Sequence, residues 1–241
     1  ALLREEPSIG LGESGGFLAP NGKMYSAGTK FLTWNTAGST ASLPEDDNIR
    51  HDTWASALDS QGNLWTTKDG VSTVAKYSPT GELLGEFYHG EPWAMGIAID
   101  SRDHVWIAHS HCGHSVGHLL PDGRFVGNVE VANHGPVEVS IDRQGRIWVV
   151  SSTGVVERIN PDGGAPGIDG VYIGEVDLKS GNLGGALWTY GRFTGSSFGL
   201  STPDGFWTNI YDGQLAGTSW GPIVWSGLLC NDARIEVEAA L

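Results

Sequence analysis

The sequence predicts an all-β fold assembled from four-stranded antiparallel units that repeat every 40–42 residues. Three observations predict it. The first is a signature of Asp, a turn, and Trp six residues after the Asp. It reads Asp59-Ser60-Gln61-Gly62-Asn63-Leu64-Trp65, then Asp100-Ser101-Arg102-Asp103-His104-Val105-Trp106, then Asp142-Arg143-Gln144-Gly145-Arg146-Ile147-Trp148. Trp65 to Trp106 spans 41 residues and Trp106 to Trp148 spans 42. The second is a Pro-x-Gly turn on the same period: Ser78-Pro79-Thr80-Gly81, Leu120-Pro121-Asp122-Gly123 and Asn160-Pro161-Asp162-Gly163. Pro pre-sets the first turn dihedral and Gly supplies a positive φ. The third is composition. With 36 Gly, 10 Trp and only 17% charged residues in 241, the chain suits short strands, tight turns and aromatic packing between sheets.

Taken in order, residues 1–16 are polar and Gly-rich and read as a lead-in or a partial strand. Residues 17–36 hold a degenerate first copy, in which Pro20-Asn21-Gly22 makes the turn. Tyr25 there stands 40 residues before Trp65, in the Trp position. A polar loop over 37–50 ends in Glu45-Asp46-Asp47. The unit over 51–90 is clearest. Trp54–Leu58 approaches Asp59, Leu64–Thr67 and Val74–Tyr77 follow as strands, and Glu82–Phe87 leaves as a fourth. No stretch carries helical periodicity.

Beyond residue 165 the pattern thins. Trp188 and the Thr202-Pro203-Asp204-Gly205 turn keep the period, 40 after Trp148 and 42 after Pro161. Asp177–Asn182, however, is a poor buried strand beside Val137–Ile141. Phe206–Tyr211, Trp220–Trp225 and Arg234–Ala239 read as strands of another β-module, either a divergent final blade or a separate β-sandwich. The expected organisation is a lead-in over 1–16, repeated blades over 17–170, and divergent blade(s) or a small β-sandwich module over 171–241.

The formal net charge of −14 excludes nucleic acid as a partner, since nucleic acid needs a basic footprint. It also disfavours anionic membrane surfaces. No segment approaches the roughly 18 apolar residues of a membrane-spanning helix, so no membrane insertion is expected. The start, Ala1-Leu2-Leu3-Arg4-Glu5-Glu6-Pro7, has neither the basic start and long apolar run of a signal peptide nor an initiator Met. It reads as processed or excised from a longer chain. Cys112 and Cys230 offer either one long-range bridge or two free thiols.

The unit Gly-x-Ala-x-Asp-x-x-Gly-x-x-Trp followed by x-Pro-Asp-Gly resembles the NHL and streptogramin-lyase-like β-propeller repeats. It is carried by Gly96-Ile97-Ala98-Ile99-Asp100 through Trp106 with Leu120–Gly123, and by Gly135-Pro136 through Trp148 with Asn160–Gly163. The resemblance covers about residues 17–165 and implies a β-propeller of four-stranded blades. Streptogramin lyases are similar seven-bladed rings that use loop histidines and a glutamate with Mg²⁺ to open a lactone. This sequence has no Glu-x-His pair of the sort that family suggests. Seven units of this period would exceed 241 residues. The resemblance therefore implies a smaller ring, or one completed by further sequence or by other chains.

Blade topology places the candidate chemistry. In a four-stranded meander the Asp-x-x-Gly and Pro-x-Gly turns fall at one end. The blade-to-blade connections and the second-to-third-strand loops fall at the other. His51 and His134 each lie eight residues before a signature Asp, and His89 lies eleven before Asp100. All three therefore enter an innermost strand from one rim. The loop from Ala108 to His118, with His109, His111, His114 and His118, is expected to open mostly on that rim too. So are Glu91, Trp93, Asp52 and Trp54.

Two readings of the histidines stand. They form a metal or acid–base site, since neutral imidazole binds borderline metals and titrates near neutrality, or they hydrogen-bond loop backbone. On the first reading His51, His89 and His134 are the acid–base candidates, and His109, His111 and His114 the metal ligands. The cofactor is then a divalent metal, Mg²⁺, Ca²⁺ or Zn²⁺. His109 and His111 are expected to share a strand face. Trp54 and Trp93 are candidate platforms for a ligand, with Glu91 and Asp52 beside them. Asp59, Asp100 and Asp142 are expected to fix turns, and Trp65, Trp106 and Trp148 to pack between blades. The Asp162–Gly170 stretch reads as a plain turn rather than a Ca²⁺ loop.

These readings converge on a secreted or surface-exposed module that binds a small molecule, glycan or protein on a His/Trp rim. The alternatives are a metal-assisted lyase or hydrolase using the same rim, and a structural repeat of a larger surface or filament protein.

Overall fold

The computed structural model describes residues 14–18, 23–27, 32–35, 41–42, 53–111, 113–131, 135–181 and 183. The chain divides into units over 1–203 and 204–241, and all described residues lie in the first. Four sheets follow one another, each a four-stranded antiparallel meander with strands in sequence order. The first holds β1 (Ser14–Leu18), β2 (Lys23–Ala27), β3 (Leu32–Asn35) and β4 (Ala41–Ser42). The second holds β5 (Ser56–Leu58), β6 (Leu64–Thr66), β7 (Thr73–Tyr77) and β8 (Leu83–Tyr88). The third holds β9 (Ala94–Ile99), β10 (Val105–His109), β11 (Ser115–Leu119) and β12 (Phe125–Glu130). The fourth holds β13 (Pro136–Ile141), β14 (Ile147–Ser151), β15 (Val155–Asn160) and β16 (Glu175–Lys179). β1 starts within the stretch read as a lead-in, and β16 runs past residue 170. The weak strand signal after Asp177 has a reason: β16 is an outer strand and its side chains are mostly exposed.

The first strands of successive sheets, β5, β9 and β13, are neighbours, as in a ring of blades. Side chains fill the space between blades. Trp65, Val74, Ile97, Ile99, Ile107 and Leu119 pack between the second and third. Trp106, Ala98, Val116, Val139, Ile147, Val149 and Ile159 pack between the third and fourth. β10 and β11 are therefore buried along their whole length, without the alternation of a half-exposed sheet. Where β9 and β13 meet, only glycine fits. A Cβ on Gly96 would lie 2.7 Å from the Glu138 Cα.

The Asp–Trp signature has a direct physical cause. One carboxylate oxygen caps the turn. Asp100 Oδ1 accepts the backbone N–H groups of Arg102 (2.8 Å) and His104 (3.0 Å). Asp142 Oδ1 does the same for Gln144 and Arg146, both at 2.9 Å. Asp59 Oδ1 takes Gln61 and Asn63 at 3.1 and 2.8 Å. The other oxygen accepts the indole N–H six residues on, at 3.3, 3.2 and 2.7 Å for Trp65, Trp106 and Trp148. Burial alone would raise the Asp59 carboxyl. Its bonds from Asn63 and Lys76 outweigh that and hold it below the usual carboxylate range.

Opposite each Trp, the third strand places a residue over the indole. The pairs are Trp65 with Lys76, Trp106 with His118 and Trp148 with Arg158. Lys76 Nζ sits 4.7 Å from the Trp65 centroid, and the His118 ring stacks on Trp106 at 3.9 Å. Arg158 Cζ is 5.7 Å from Trp148. A cation over an indole contributes about 0.5–1 kcal/mol at an exposed site. Trp65 and Trp106 are fully buried, whereas Trp148 is half-buried.

The turn end is also stitched from blade to blade. Asp103 occupies the signature's glycine position with φ +62, where Gly62 and Gly145 have +79 and +75. An Asp tolerates this left-handed conformation better than most side chains. Its carboxylate accepts the Ser60 N–H (2.7 Å) and hydroxyl (2.5 Å) from the preceding blade. Arg102 pairs with Asp162 (2.7 Å) and Arg124 with Asp169 (2.5 Å), tying the third blade to the fourth. The long connection before β16 contains one 3-10 turn, Ile168–Gly170. The two carboxylates of the loop weighed for Ca²⁺ are thus held by arginines.

Candidate functional site

The meander sends the connection over 89–93, and the loops over 67–72 and 110–114, to the end opposite the Asp turns. Loop and connection are lashed together there. Trp93 O accepts the Ser110 N–H (2.9 Å), and Gly113 N–H closes a turn on Ser110 O (3.0 Å). His51, Asp52 and His134 lie outside the described residues, as do Cys112 and Cys230. The other expected rim residues divide into a sealed group and an open one.

The sealed group is His89 and His109, both with no exposed surface. His89 Nδ1 lies 2.9 Å from His109 Nε2, and His109 Nδ1 lies 2.8 Å from Ser115 Oγ. The rings stack at 5.0 Å with 20° between their planes. Burial drives the His89 pKa down to about 4, and burial with the neighbouring His89 drives His109 to about 3. Both are neutral at neutral pH. In neutral imidazole one nitrogen donates and the other accepts, so the chain runs either from His89 to Ser115 or the reverse. Either direction uses both His109 nitrogens. Either also leaves His89 Nε2 buried without a hydrogen-bond partner among the described residues. Gly117 makes the packing possible, since a Cβ there would lie 2.4 Å from His89 O and 2.9 Å from His109 Cε1.

The open group is Trp93, His111, Glu91 and Trp54. Trp93 is 37% exposed and His111 is exposed. Their rings meet edge to face, with centroids 5.0 Å apart and planes at 75°. Both residues have left-handed backbone, with φ +66 and +55. Glu91 lies against the loop that carries His111, its Oε2 2.8 Å from where a Cβ on Gly113 would stand. Among the described residues Glu91 makes no hydrogen bond or ion pair. Trp54 is half-buried, and its indole N–H donates to Asp69 Oδ1 (3.0 Å). The next residue, Gly70, approaches Trp93: a Cβ there would lie 3.9 Å from Trp93 Cη2. The loop over 67–72 thus joins the two tryptophans.

Two expectations are corrected. His109 and His111 do not share a strand face. β10 ends at His109, and the left-handed turn at His111 throws its side chain out while His109 points in. His118 does not join this rim. It sits near the end of β11, opposite Trp106, with Nε2 2.8 Å from His104 Nδ1 and Nδ1 3.0 Å from Ile173 O. His104 belongs to the Asp100 turn, so this second histidine pair lies toward the opposite end of the blade. Burial, with His104 adjacent, lowers His118 to about 4, and burial also lowers His104. His114 is half-buried, and its carbonyl accepts the Val131 N–H (2.7 Å). Among the described residues no group of three or more His, Cys, Asp or Glu is arranged to hold a metal ion. Asp69 and Gly70 were missed in the sequence, although the same topological rule puts their loop on this rim.

Sixteen strands in four radial meanders, with the first strands innermost, define a β-propeller fold. No protein-family model matches the chain, and no curated protein matches it. Solved structures do. A streptogramin B lyase structure superposes with a TM-score of 0.52 at 19% identity, covering 65% of this chain and 54% of its own. Catalytically inactive virginiamycin B lyase from Staphylococcus aureus with quinupristin gives 0.53 at 17%, covering 66% and 56%. The Neurospora crassa Pan2 WD40 domain gives 0.51 at 9%, covering 75% and 52%. The chain spans just over half the length of these structures. Lyase and WD40 propellers match equally well at such low identity, so the likeness is one of fold.

Proposed function

We propose that this chain is the binding module of a secreted or surface-exposed β-propeller protein, and that its ligand sits on the rim formed by Trp93, His111, Glu91 and Trp54. We also read its repeat as kin to the streptogramin-lyase-like propellers rather than to WD40 proteins, on the Asp–Trp and Pro-x-Gly signatures. One observation carries the binding reading: two aromatic side chains are kept exposed, in contact, on backbone that glycine would occupy with less strain. Left-handed non-glycine residues cost about 1–3 kcal/mol and gather where function holds them. Unlike Asp103, which ties two blades by hydrogen bonds, neither the Trp93 nor the His111 side chain makes a hydrogen bond or ion pair among the described residues, and their packing is chiefly on each other and on Gly70.

Binding fits the described residues better than turnover does. A general base must come within hydrogen-bond reach of its substrate. His89 and His109 are sealed from solvent, and His109 has both nitrogens engaged.

The test is a glycan and small-molecule screen of the purified chain, followed by titration of each hit against Trp93→Ala and His111→Ala. Rim binding predicts a loss of roughly tenfold or more in affinity for Trp93→Ala, with the chain still folded at the temperature of the titration. Hits that bind both variants as tightly as the parent chain overturn the reading. Ring opening of quinupristin by the chain, followed by mass spectrometry, would replace it with the lyase alternative.

A further inference from the structure

Resting on that rim reading, we infer that the Trp93–His111 corner takes a cationic ammonium group, of the quaternary or methylated amine class, rather than a sugar ring. The shape of the corner argues first. A pyranose stacks best on one flat aromatic face. Here two rings stand at 75° with centroids 5.0 Å apart, which makes two walls of a notch. Such a notch suits a compact, nearly spherical head that touches both walls at once. Aromatic faces attract cations through their quadrupole.

Charge argues second. Glu91 lies against Gly113 in the loop that carries His111 and has no partner among the described residues. The nearest basic side chain in the adjoining loop, Lys68, is committed to Glu86 at 2.6 Å. On the far side of that loop, Trp54 donates its N–H to the Asp69 carboxylate. Asp69 is thereby fixed in the loop whose next residue, Gly70, lies beside Trp93, which adds a carboxylate to the surroundings of the corner. The chain as a whole carries a formal charge of −14, which draws cations toward it. A neutral glycan would use none of these carboxylates as charges.

The ammonium group has two sources, a small amine such as choline or a methylated lysine side chain in a peptide. Calorimetric titration separates them and tests the inference. The probes are choline, its uncharged isostere 3,3-dimethyl-1-butanol, a trimethyl-lysine peptide with its unmodified lysine counterpart, and a chitin oligosaccharide. Choline or the trimethyl-lysine peptide is expected to bind at least about tenfold more tightly than the uncharged or unmodified counterpart. Trp93→Ala should abolish that binding, Trp93→Phe should retain part of it, and Glu91→Gln should weaken it roughly fivefold. Equal binding of the isostere, or ammonium binding untouched by Trp93→Ala, overturns the inference, as does absence of ammonium binding. If the oligosaccharide or another screened ligand binds in a Trp93-dependent way while no ammonium does, this inference falls and the rim reading stands. If no ligand depends on Trp93, both fall. Circular dichroism of each variant confirms that the blades remain folded.

Discussion

The two ends of the third blade are built from the same residue types to opposite purposes. Each end holds a histidine pair at hydrogen-bonding distance, a tryptophan and a carboxylate. At the turn end every group is closed on another. Asp100 takes two turn N–H groups and the Trp106 indole, His118 stacks on Trp106 and reaches Ile173 O, and Arg102 bridges to Asp162. At the rim the equivalents are left open. Trp93 is exposed, Glu91 has no partner among the described residues, and His89 Nε2 is buried without one. Residue types do not distinguish the two ends; completion of the hydrogen-bond network does.

That contrast can be broken by substitution. The largest single effect is expected from Trp106→Ala, which empties the space between the third and fourth blades and should cost about 3–5 kcal/mol in urea unfolding. Trp93→Ala, also a tryptophan in the same blade but 37% exposed, should cost clearly less, about 1–2 kcal/mol, mostly the lost contact with His111 and the covered part of the ring. Comparable losses for the two would erase the distinction.

Acid should come next. His89, His109 and His118 have folded pKa values of about 4, 3 and 4, below the roughly 6.5 of an unfolded histidine. Each therefore leaves stability intact above about pH 6.5. Stability then falls by about 1.4 kcal/mol per pH unit per histidine as the pH drops toward the folded pKa. His118→Phe keeps a ring over Trp106 and should make the acid limb of a stability–pH curve shallower. An unchanged slope would mean that His118 is not held neutral.

Asp100→Ala removes the acceptor of two backbone N–H groups and one indole N–H, and should cost about 1–3 kcal/mol by thermal denaturation. Glu91→Ala should cost nothing measurable, because no described group relies on it. One effect runs the other way: His111→Gly should stabilise the chain by up to about 0.5 kcal/mol, relief of left-handed strain slightly outweighing the lost contact with Trp93. A destabilisation would show that His111 packs for structure rather than for a ligand.

The scaffold was legible because its rules are local. Asp59, Asp100 and Asp142 cap turns two and four residues away and hold an indole six residues away, so sequence spacing is spatial spacing. The rim was legible only in outline. Hairpin alternation assigns His89, Glu91 and Trp93 to the correct end. What it could not supply was the direction of a side chain within a loop. His109 and His111 look equivalent by alternation, yet one left-handed residue separates a buried imidazole from an exposed one. His118 was misassigned because the loop after β10 is shorter than the run of histidines suggested. β11 resumes at Ser115 and carries His118 back toward the turns.

Gly96 has a consequence for how such a chain can vary. At Gly96 the inner strands of the third and fourth blades meet main chain to main chain, since a side chain there would collide with the backbone at Glu138. The spacing at the inner edge is thus fixed by peptide geometry, like a hinge closed against its stop. Substitutions farther out along the blades can change what fills the gap between them without changing how closely they approach at that edge. The Trp93–His111 corner, carried on connections outside that stop, is free to vary in sequence while the stop keeps its gauge.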